Sequence, residues 1–277
     1  FFFFCIIKIG EVRMQVVLLI IGFVIIIKAS DLLVDASSAL ATRLRVPKML
    51  IALTIAAFGT CAPEIAISFQ SVNAGNGEIA FANVVGSCVV NVLLIIGLAS
   101  FIKPIKIRHA TIKKELPILV LITSVFVILM LDSLFNPYPS DTFSRADGIV
   151  LMLLFGIFVV YLIQLFSKRT DVSQEELDKV SYTPFWAIFT IVVSIICIIY
   201  SSDIIVSMAE DIALRLHISE KVITMFVIVI GTSLPEMVMT VTSAKKGEFD
   251  IAIGNIIGTN IFNICIVLGL PVIIYGN

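Results

Sequence analysis

Two copies of one short motif place a glutamate beside a proline within apolar sequence. Residues 59–64 read G-T-C-A-P-E and residues 231–236 read G-T-S-L-P-E, ending in Glu64 and Glu236. Proline has no N–H for the carbonyl four residues earlier, so each motif predicts a break in a helix. Carbonyls freed inside lipid need polar partners, and a dehydrated cation is such a partner. We therefore predict a cation site at the paired breaks.

Other oxygen donors accompany both glutamates. Ser87 and Asn91 are four residues apart, which puts a hydroxyl and an amide oxygen on one face of a helix. The remaining candidates in the two copies are Thr60, Thr232, Ser233, Thr259 and Asn263. Hard oxygen ligands suit Ca²⁺ or Na⁺ rather than zinc or copper, and two carboxylates balance one Ca²⁺. The alternative is a pair of protonated glutamates that hydrogen-bond for helix packing.

The composition is that of a membrane protein. Of 277 residues, 59% are hydrophobic and 14% are charged, and the mean hydropathy is +1.12. Soluble domains carry about 25% charged residues. The net charge of −1, with no basic patch among aromatics, excludes nucleic acid as a partner. We expect the lipid bilayer and the transported ions as partners, with no cofactor and no obligate protein partner.

About 20 apolar residues are needed to cross the hydrocarbon core, and we predict eight such spans. They are Val16–Leu40, Pro47–Asn73, Glu78–Ile102, Thr111–Leu131, Ala146–Ser167, Pro184–Met208, Glu220–Ala244 and Glu248–Tyr275. We expect residues 1–13 to be a non-native leader before Met14. We expect the charged residues Lys28, Asp31 and Asp35 of the first span to form an ion pair or an outer shell rather than to bind the ion.

The charges of the connections predict the orientation. One face receives thirteen Lys and Arg residues: Arg43, Arg45, Lys48, Lys103, Lys106, Arg108, Lys113, Lys114, Lys168, Arg169, Lys179, Lys245 and Lys246. The other receives five: Lys8, Arg13, Arg145, Arg215 and Lys221. Because Lys and Arg mark the cytoplasmic side, we place the N-terminus outside and the 168–183 linker in the cytoplasm of a cell-membrane protein.

The motif belongs to a longer internal repeat. An offset of 172 (236 minus 64) pairs Asn83 with Asn255 and Asn91 with Asn263, and no gap is needed from Ser30 to Leu98. Corresponding spans are five apart in our count, an odd number, so the copies cross the membrane in opposite directions. Inverted repeats with interrupted helices and midplane sites are typical of secondary transporters. The predicted fold is therefore an all-α membrane protein with an inverted-repeat transporter fold.

With this doubled motif the chain resembles the calcium/cation antiporter superfamily, in its sodium/calcium exchanger branch. That family carries two inverted α-repeats with a G-[TS]-[SA]-x-P-[ED] break and a downstream G-[ST]-x-x-x-[ND] stretch, which match residues 59–64 with 86–91 and 231–236 with 258–263. The resemblance implies that Glu64 and Glu236 are the central Ca²⁺ ligands, shared with Na⁺. It also implies ligation by the Ala57 and Val229 carbonyls. The first and sixth spans would slide as a gating pair.

Departures from the family pattern sharpen these expectations. Cys61 replaces the usual Ser or Ala, and Asn263 replaces the Asp of potassium-dependent relatives, which favours a K⁺-independent exchanger. The family has ten spans, of which eight are present here and the last two helices are missing. Residues 14–167 then form the first α-repeat (helices 1–5) and 184–277 the second (helices 6–8). The short linker indicates a prokaryotic-type protein.

The predicted function is exchange of Na⁺ for Ca²⁺ by alternating access, without catalysis. The alternative is H⁺/Ca²⁺ exchange, since buried glutamates can bind protons. An intramembrane protease with paired acids is disfavoured because no G-x-G-D signature is present. A passive channel is disfavoured by the inverted duplication.

Overall fold

The computed structural model describes residues 2–131, 143–215 and 230–275, and these ranges contain helices and no strand. We number the α-helices in chain order. They are α1 (Phe2–Leu44), α2 (Lys48–Ile51), α3 (Ala57–Thr60), α4 (Ala62–Asn73), α5 (Gly77–Val89), α6 (Ile96–Ile102), α7 (His109–Lys113), α8 (Glu115–Met130), α9 (Arg145–Ser167), α10 (Gln174–Lys179), α11 (Pro184–Arg215), α12 (Leu234–Lys246), α13 (Phe249–Phe262) and α14 (Gly269–Tyr275). The predicted all-α class is confirmed.

Three π-helical turns lie between these helices: Ala52–Ala56, Val90–Ile95 and Asn263–Leu268. They join α2 to α3, α5 to α6 and α13 to α14 without a loop. A π-helical turn contains about one residue more than an α-helical turn, and such turns are frequent at functional sites. The sequence analysis did not predict these turns.

Five helical segments are long and apolar enough to cross a membrane, and the pair Lys48–Thr60 and Ala62–Asn73, bent by 49°, makes a sixth. The other two of the eight predicted spans are not found as single membrane-crossing helices among the described residues. Thr111–Leu131 is interrupted at Lys114, where α7 ends, and α8 is only 16 residues long. Pro117 lies in the first turn of α8, where proline is tolerated. Residues 220–229 of the predicted span Glu220–Ala244 lie outside the described residues, and its remaining part contains the start of α12 at Leu234. Residues 2–13 continue the first span as part of α1.

The helix α13 and the turns after it occupy the centre of the bundle. In the segment Phe249–Tyr275, 83% of the most apolar window is buried by protein, against 17–33% in the other long spans. Every side chain of α13 from Asp250 to Phe262 is buried. The other spans expose apolar side chains such as Phe101, Leu93 and Phe185. The molecule therefore has a protein-enclosed central helix and a lipid-facing outer layer.

The long helices α1 and α11 pack along each other at the periphery. Gly22 permits this approach, because a Cβ there would lie 2.9 Å from Ile205 of α11. Towards its end α1 meets α12: Ser30 Oγ donates to the Val238 carbonyl at 3.2 Å, and Lys246 contacts Asp35 at 2.8 Å and Asp31 at 3.5 Å. Asp31 and Asp35 form ion pairs as expected, but with Lys246 of α12 rather than with Lys28 of their own span, which is exposed.

Candidate functional site

Both predicted helix breaks are present, and they are built alike. The chain turns at Cys61 (φ −72°, ψ −1°) before α4, and at Ser233 (φ −83°, ψ 3°) before α12. Each new helix has its proline within the first two positions and its glutamate in the first turn. Free backbone N–H groups and the helix dipole favour a negative charge at such a position. Each break therefore provides a favourable place for a buried carboxylate.

The two carboxylates meet in the interior. Glu64 and Glu236 are both fully buried, and they lie close enough to interact electrostatically. Thr232 lies beside Glu64 and Thr60 beside Glu236, so each repeat presents a hydroxyl to the acid of the other. Within the described part of the chain, none of the four carboxylate oxygens accepts a hydrogen bond. Two buried acids without partners are costly unless a cation or a proton joins them.

The two threonines donate elsewhere. Thr232 Oγ1 donates to Asn83 Oδ1 at 3.3 Å, and Thr60 Oγ1 donates to the Ala57 carbonyl at 3.2 Å. An oxygen whose proton is already donated keeps its lone pairs for a cation. Each hydroxyl therefore lies beside the carboxylate of the other copy while it donates its proton to a neutral oxygen.

The other predicted side chains are also buried. Ser87, Asn91, Ser233, Thr259 and Asn263 are each 0% exposed. Ser87 Oγ, Ser233 Oγ, Thr259 Oγ1, Asn91 Oδ1 and both polar atoms of the Asn263 side chain have no partner among the described residues. Both asparagines lie in π-helical turns, Val90–Ile95 and Asn263–Leu268. The distortion of each helix thus coincides with a candidate ligand.

The backbone candidates have a different environment. The Ala57 carbonyl accepts the Cys61 N–H at 3.1 Å as well as the Thr60 hydroxyl. The carbonyl of Gly59, freed by Pro63, accepts a backbone N–H at the end of α3. The break therefore satisfies most of its own carbonyls, and the side chains supply the free oxygens. Val229 lies outside the described residues.

Three polar contacts were not predicted from the sequence. Asn91 Nδ2 donates to Asn260 Oδ1 at 2.9 Å, and Asn255 Nδ2 donates to Thr240 Oγ1 at 3.2 Å. Asn83, the repeat partner of Asn255, accepts from Thr232. The repeat pairs Asn260 with Cys88, so similarity between the copies could not identify it. The other two contacts involve Asn255 and Asn83. These two asparagines match each other in the repeat, and that match was a signal that could have identified them.

Cys61 closes the site on one side. Its buried thiol lies 3.9 Å from the Thr259 carbonyl. At the corresponding position of the second copy, Ser233 carries a hydroxyl instead of a thiol. A thiol is a weak donor and a soft ligand, so it adds little to the binding of a hard cation. The two halves of the site are therefore chemically unequal.

The donor set favours a hard cation. Among the described residues there is no group of three or more His, Cys, Asp or Glu side chains able to hold a metal ion. A bound ion would therefore combine the two carboxylates with hydroxyl and amide oxygens. Such all-oxygen ligation suits Ca²⁺ and Na⁺.

Known proteins resemble this chain over most of its length. The family model described as "Sodium/calcium exchanger protein" matches residues 14–164 and 186–277. The inner membrane protein YrbG of Escherichia coli (strain K12) is 32% identical over 265 residues, which cover 93% of this chain and 79% of that protein. The sodium/calcium exchanger MaX1 of Methanosarcina acetivorans is 30% identical over 296 residues, with 95% and 84% covered.

The fold is also similar to a solved structure. The sodium-calcium exchanger NCX_Mj, soaked with 10 mM Na⁺ and zero Ca²⁺, superposes with a TM-score of 0.79 at 29% sequence identity. The match covers 95% of this chain and 83% of that one. With the family match over most of its length, the chain belongs to the sodium/calcium exchanger protein family.

Proposed function

We propose that this protein exchanges Na⁺ for Ca²⁺ across the membrane, at a single central site, without a requirement for K⁺. The family is one of exchangers rather than catalytic enzymes, and its apolar spans make the chain an integral membrane protein. Cation/Ca²⁺ antiport follows from that membership. The choice of Na⁺ as the driving ion, and the ligand assignment, are our proposal.

The observation that carries the proposal is the buried pair Glu64 and Glu236, whose four carboxylate oxygens accept no hydrogen bond from the described residues. Two negative charges match one Ca²⁺, or Na⁺ ions that replace it. The proposed ligands are these carboxylates with Thr60, Thr232, Ser87, Ser233, Thr259, Asn91 and Asn263 and the Ala57 and Val229 carbonyls.

Hydroxyl and amide oxygens favour Na⁺ over H⁺ as the driving ion. A proton needs only a carboxylate, whereas Na⁺ needs several neutral oxygens around it. Ser87, Ser233 and Thr259 each present a buried hydroxyl oxygen that has no partner among the described residues. Asn263 supports independence from K⁺, because a neutral amide stands where potassium-dependent relatives carry a carboxylate.

We further propose two inverted α-repeats, residues 14–167 and 184–277, joined by the 168–183 linker in the cytoplasm, with the N-terminus outside. The matching breaks at Cys61 and Ser233, 172 positions apart, support the duplication. The peripheral pair α1 and α11 would slide over the enclosed core, giving alternating access to the site.

The test is Ca²⁺ uptake by sealed vesicles that contain the purified chain, under an imposed Na⁺ gradient with the pH gradient collapsed by an ionophore. We expect uptake that saturates with Ca²⁺, needs outward-directed Na⁺ and continues without K⁺. Uptake that follows only a pH gradient would replace Na⁺ with H⁺. Flux that does not need a counter-ion would indicate a channel.

A further inference from the structure

Beyond Glu236, one face of α12 stays polar to the end of the helix. Glu236, Thr240 and Ser243 are spaced by four and three residues, which puts them on a common face. All three are fully buried. At 1.5 Å of rise per residue, the row extends about 10 Å from the central acid. It leads towards the end of α12 that carries Lys245 and Lys246.

Asn255 of α13 completes this row. Its Nδ2 donates to Thr240 Oγ1 at 3.2 Å, so its side chain lies against the polar face of α12. Asn255 Oδ1 and Ser243 Oγ have no hydrogen-bond partner within the described ranges. An unsatisfied buried polar group costs about 1–3 kcal/mol, and native proteins contain few of them. Two in one row indicate a ligand that passes there.

The row ends next to a charged cavity. The Ser243 carbonyl accepts the N–H of Glu248 at 2.9 Å, so the last residue of the row is joined directly to Glu248 through the backbone. A cavity of about 370 Å³ is lined by Lys48, Lys106, Arg108, Gly247, Glu248, Phe249 and Asp250. Polar groups thus continue from the central carboxylates to a cavity at the Lys/Arg-rich face.

The two acids of the cavity are held by ion pairs. Lys48 Nζ contacts Glu248 at 2.7 Å and Arg108 contacts Asp250 at 3.0 Å. The Arg108 side chain is 71% exposed and that of Lys48 34% exposed, so both can swing away into water at little cost. A cation in the cavity can therefore replace either lysine or arginine as the partner of the carboxylate.

We propose that Thr240, Ser243 and Asn255 form a transient cation station between the central site and this cavity. The inference rests on the proposed exchange function and names the route that ions take to the Lys/Arg-rich face. The station offers neutral oxygens only, so it holds a partly dehydrated Na⁺ or Ca²⁺ weakly and releases it readily, as transport requires.

The station is one-sided. In the first repeat the corresponding residues are Ser68, Ser71 and Asn83. There Asn83 Oδ1 accepts from Thr232 of the other repeat, whereas Asn255 bonds to Thr240 of its own. Ser68 Oγ and Asn83 Nδ2 also lack a partner among the described residues, but Nδ2 is a donor and cannot bind a cation. Among these corresponding positions, an amide oxygen without a partner therefore exists on the Lys/Arg-rich side alone. Loss of the station should affect ion entry from that side only.

The experiment uses the full chain in vesicles of known orientation, with Ca²⁺ varied on one side at a time under saturating opposing Na⁺. For Ser243→Ala and Asn255→Val we expect the half-saturating Ca²⁺ concentration to rise about five- to tenfold on the Lys/Arg-rich side. On the other side it should stay within about twofold. Ser167→Ala, at a serine of α9 whose hydroxyl donates to the Ile163 carbonyl at 3.0 Å, is the control and should change neither side.

Ser243→Thr keeps the hydroxyl and should retain the unmodified affinity, which a merely structural effect of the Ala variant would not predict. Equal affinities on both sides in the Ala and Val variants, or an equal loss on both, would overturn the station. Absence of Na⁺-driven Ca²⁺ flux in the unmodified chain would instead reject the proposed function. The two failures are therefore distinguishable.

Discussion

At the scale of single residues, the central site depends on where each glutamate sits in its helix. Glu64 and Glu236 lie in the first turns of α4 and α12, where backbone N–H groups are free. A charge of this kind gains about 0.3–1 kcal/mol from the helix end, and more in buried geometries. That gain is small beside the cost of burying two acids. A bound cation has to supply the rest.

The first prediction concerns these acids. Glu64→Gln removes one of the two charges while keeping the size of the side chain, so we expect Ca²⁺ exchange to fall at least a hundredfold, or about 2.7 kcal/mol. The measurement is Na⁺-driven Ca²⁺ uptake in vesicles with equal protein content. Glu78→Gln, at an exposed glutamate in the first turn of α5, is the matched control and should transport normally. Normal uptake by the Glu64 variant would remove that acid from the site.

A second prediction concerns the inequality between Cys61 and Ser233. Cys61→Ser introduces a hydroxyl where the first copy has a thiol, so we expect half-saturation at a roughly two- to fivefold lower Na⁺ concentration. The measurement is the Na⁺ dependence of Ca²⁺ uptake. Cys197→Ser, at a half-buried cysteine of α11, serves as the control and should leave the curve unchanged. A Cys61 variant with an unchanged or weaker Na⁺ dependence would contradict the assignment.

The burial of the candidate side chains was foreseeable because proline, hydroxyl and carboxylate recur together in both copies. The contact between Asn91 and Asn260 was not, since it joins helices from different repeats and its second member has no polar counterpart. Hydrogen bonds between distant segments depend on helix rotation, which a residue pattern does not specify. For the same reason, the sequence does not predict which acceptors the hydroxyls of Thr60 and Thr232 donate to.

At the scale of helices, α13 packs against the second span through two glycines. A Cβ on Gly258 would lie 2.7 Å from the Ala57 Cβ and 3.0 Å from the Leu53 backbone. One on Gly254 would lie 2.7 Å from the Ala52 Cβ. Small residues let helix backbones approach closely in membranes. This approach brings Thr259 of α13 next to the helix break at Cys61.

The third prediction tests this packing. Gly258→Ala places a methyl group against backbone atoms that cannot move aside, so we expect a loss of about 1–3 kcal/mol of stability and a lower unfolding temperature. The measurement is thermal unfolding in detergent, followed by intrinsic fluorescence or thiol exposure. Gly97→Ala, where a Cβ meets nothing within 4 Å, should be neutral or slightly stabilising. Equal unfolding temperatures for the two variants would argue against close packing at Gly258.

Hydropathy predicted most of the long helices, and the two prolines predicted the breaks at Cys61 and Ser233, whereas the other interruptions were not predicted. The interruption at Lys114, just after α7, is one example. The residues before it are basic and those after it are apolar, and neither pattern predicts a helix end. The three π-helical turns have ordinary compositions for a membrane helix. Their positions follow from packing between helices, which competes with regular hydrogen bonding only once the bundle is formed.

At the scale of the whole molecule, the connections with most Lys and Arg residues meet on one face. The Thr170 N–H donates to the Arg45 carbonyl at 2.9 Å, and Arg43 donates to the Val180 and Tyr182 carbonyls at 2.7 and 3.0 Å. The like charge of the neighbouring Lys114 side chain lowers the pKa of the Lys168 ammonium. Connections far apart in sequence thus share one side, as the charge count predicts.

The fourth prediction tests which side that is. In a variant without native cysteines, Asp171→Cys on the 168–183 linker should resist a membrane-impermeant maleimide in intact cells and react after permeabilisation. Asn76→Cys, between α4 and α5, should react in intact cells. Both positions are exposed, so accessibility to the reagent is set by the membrane alone. The opposite labelling pattern would invert the proposed orientation.

The near-complete enclosure of α13 has a consequence for biosynthesis. A helix that meets protein on all sides can carry Asn255 and Asn260, which would be costly facing acyl chains. Translation delivers α1 to α12 before α13, so the earlier helices leave the ribosome with the groove for α13 unfilled. Insertion of α13 into the bilayer and its docking into that groove must then be a single coupled step. Slowed elongation after Glu248 should leave a chain that quality-control proteases recognise.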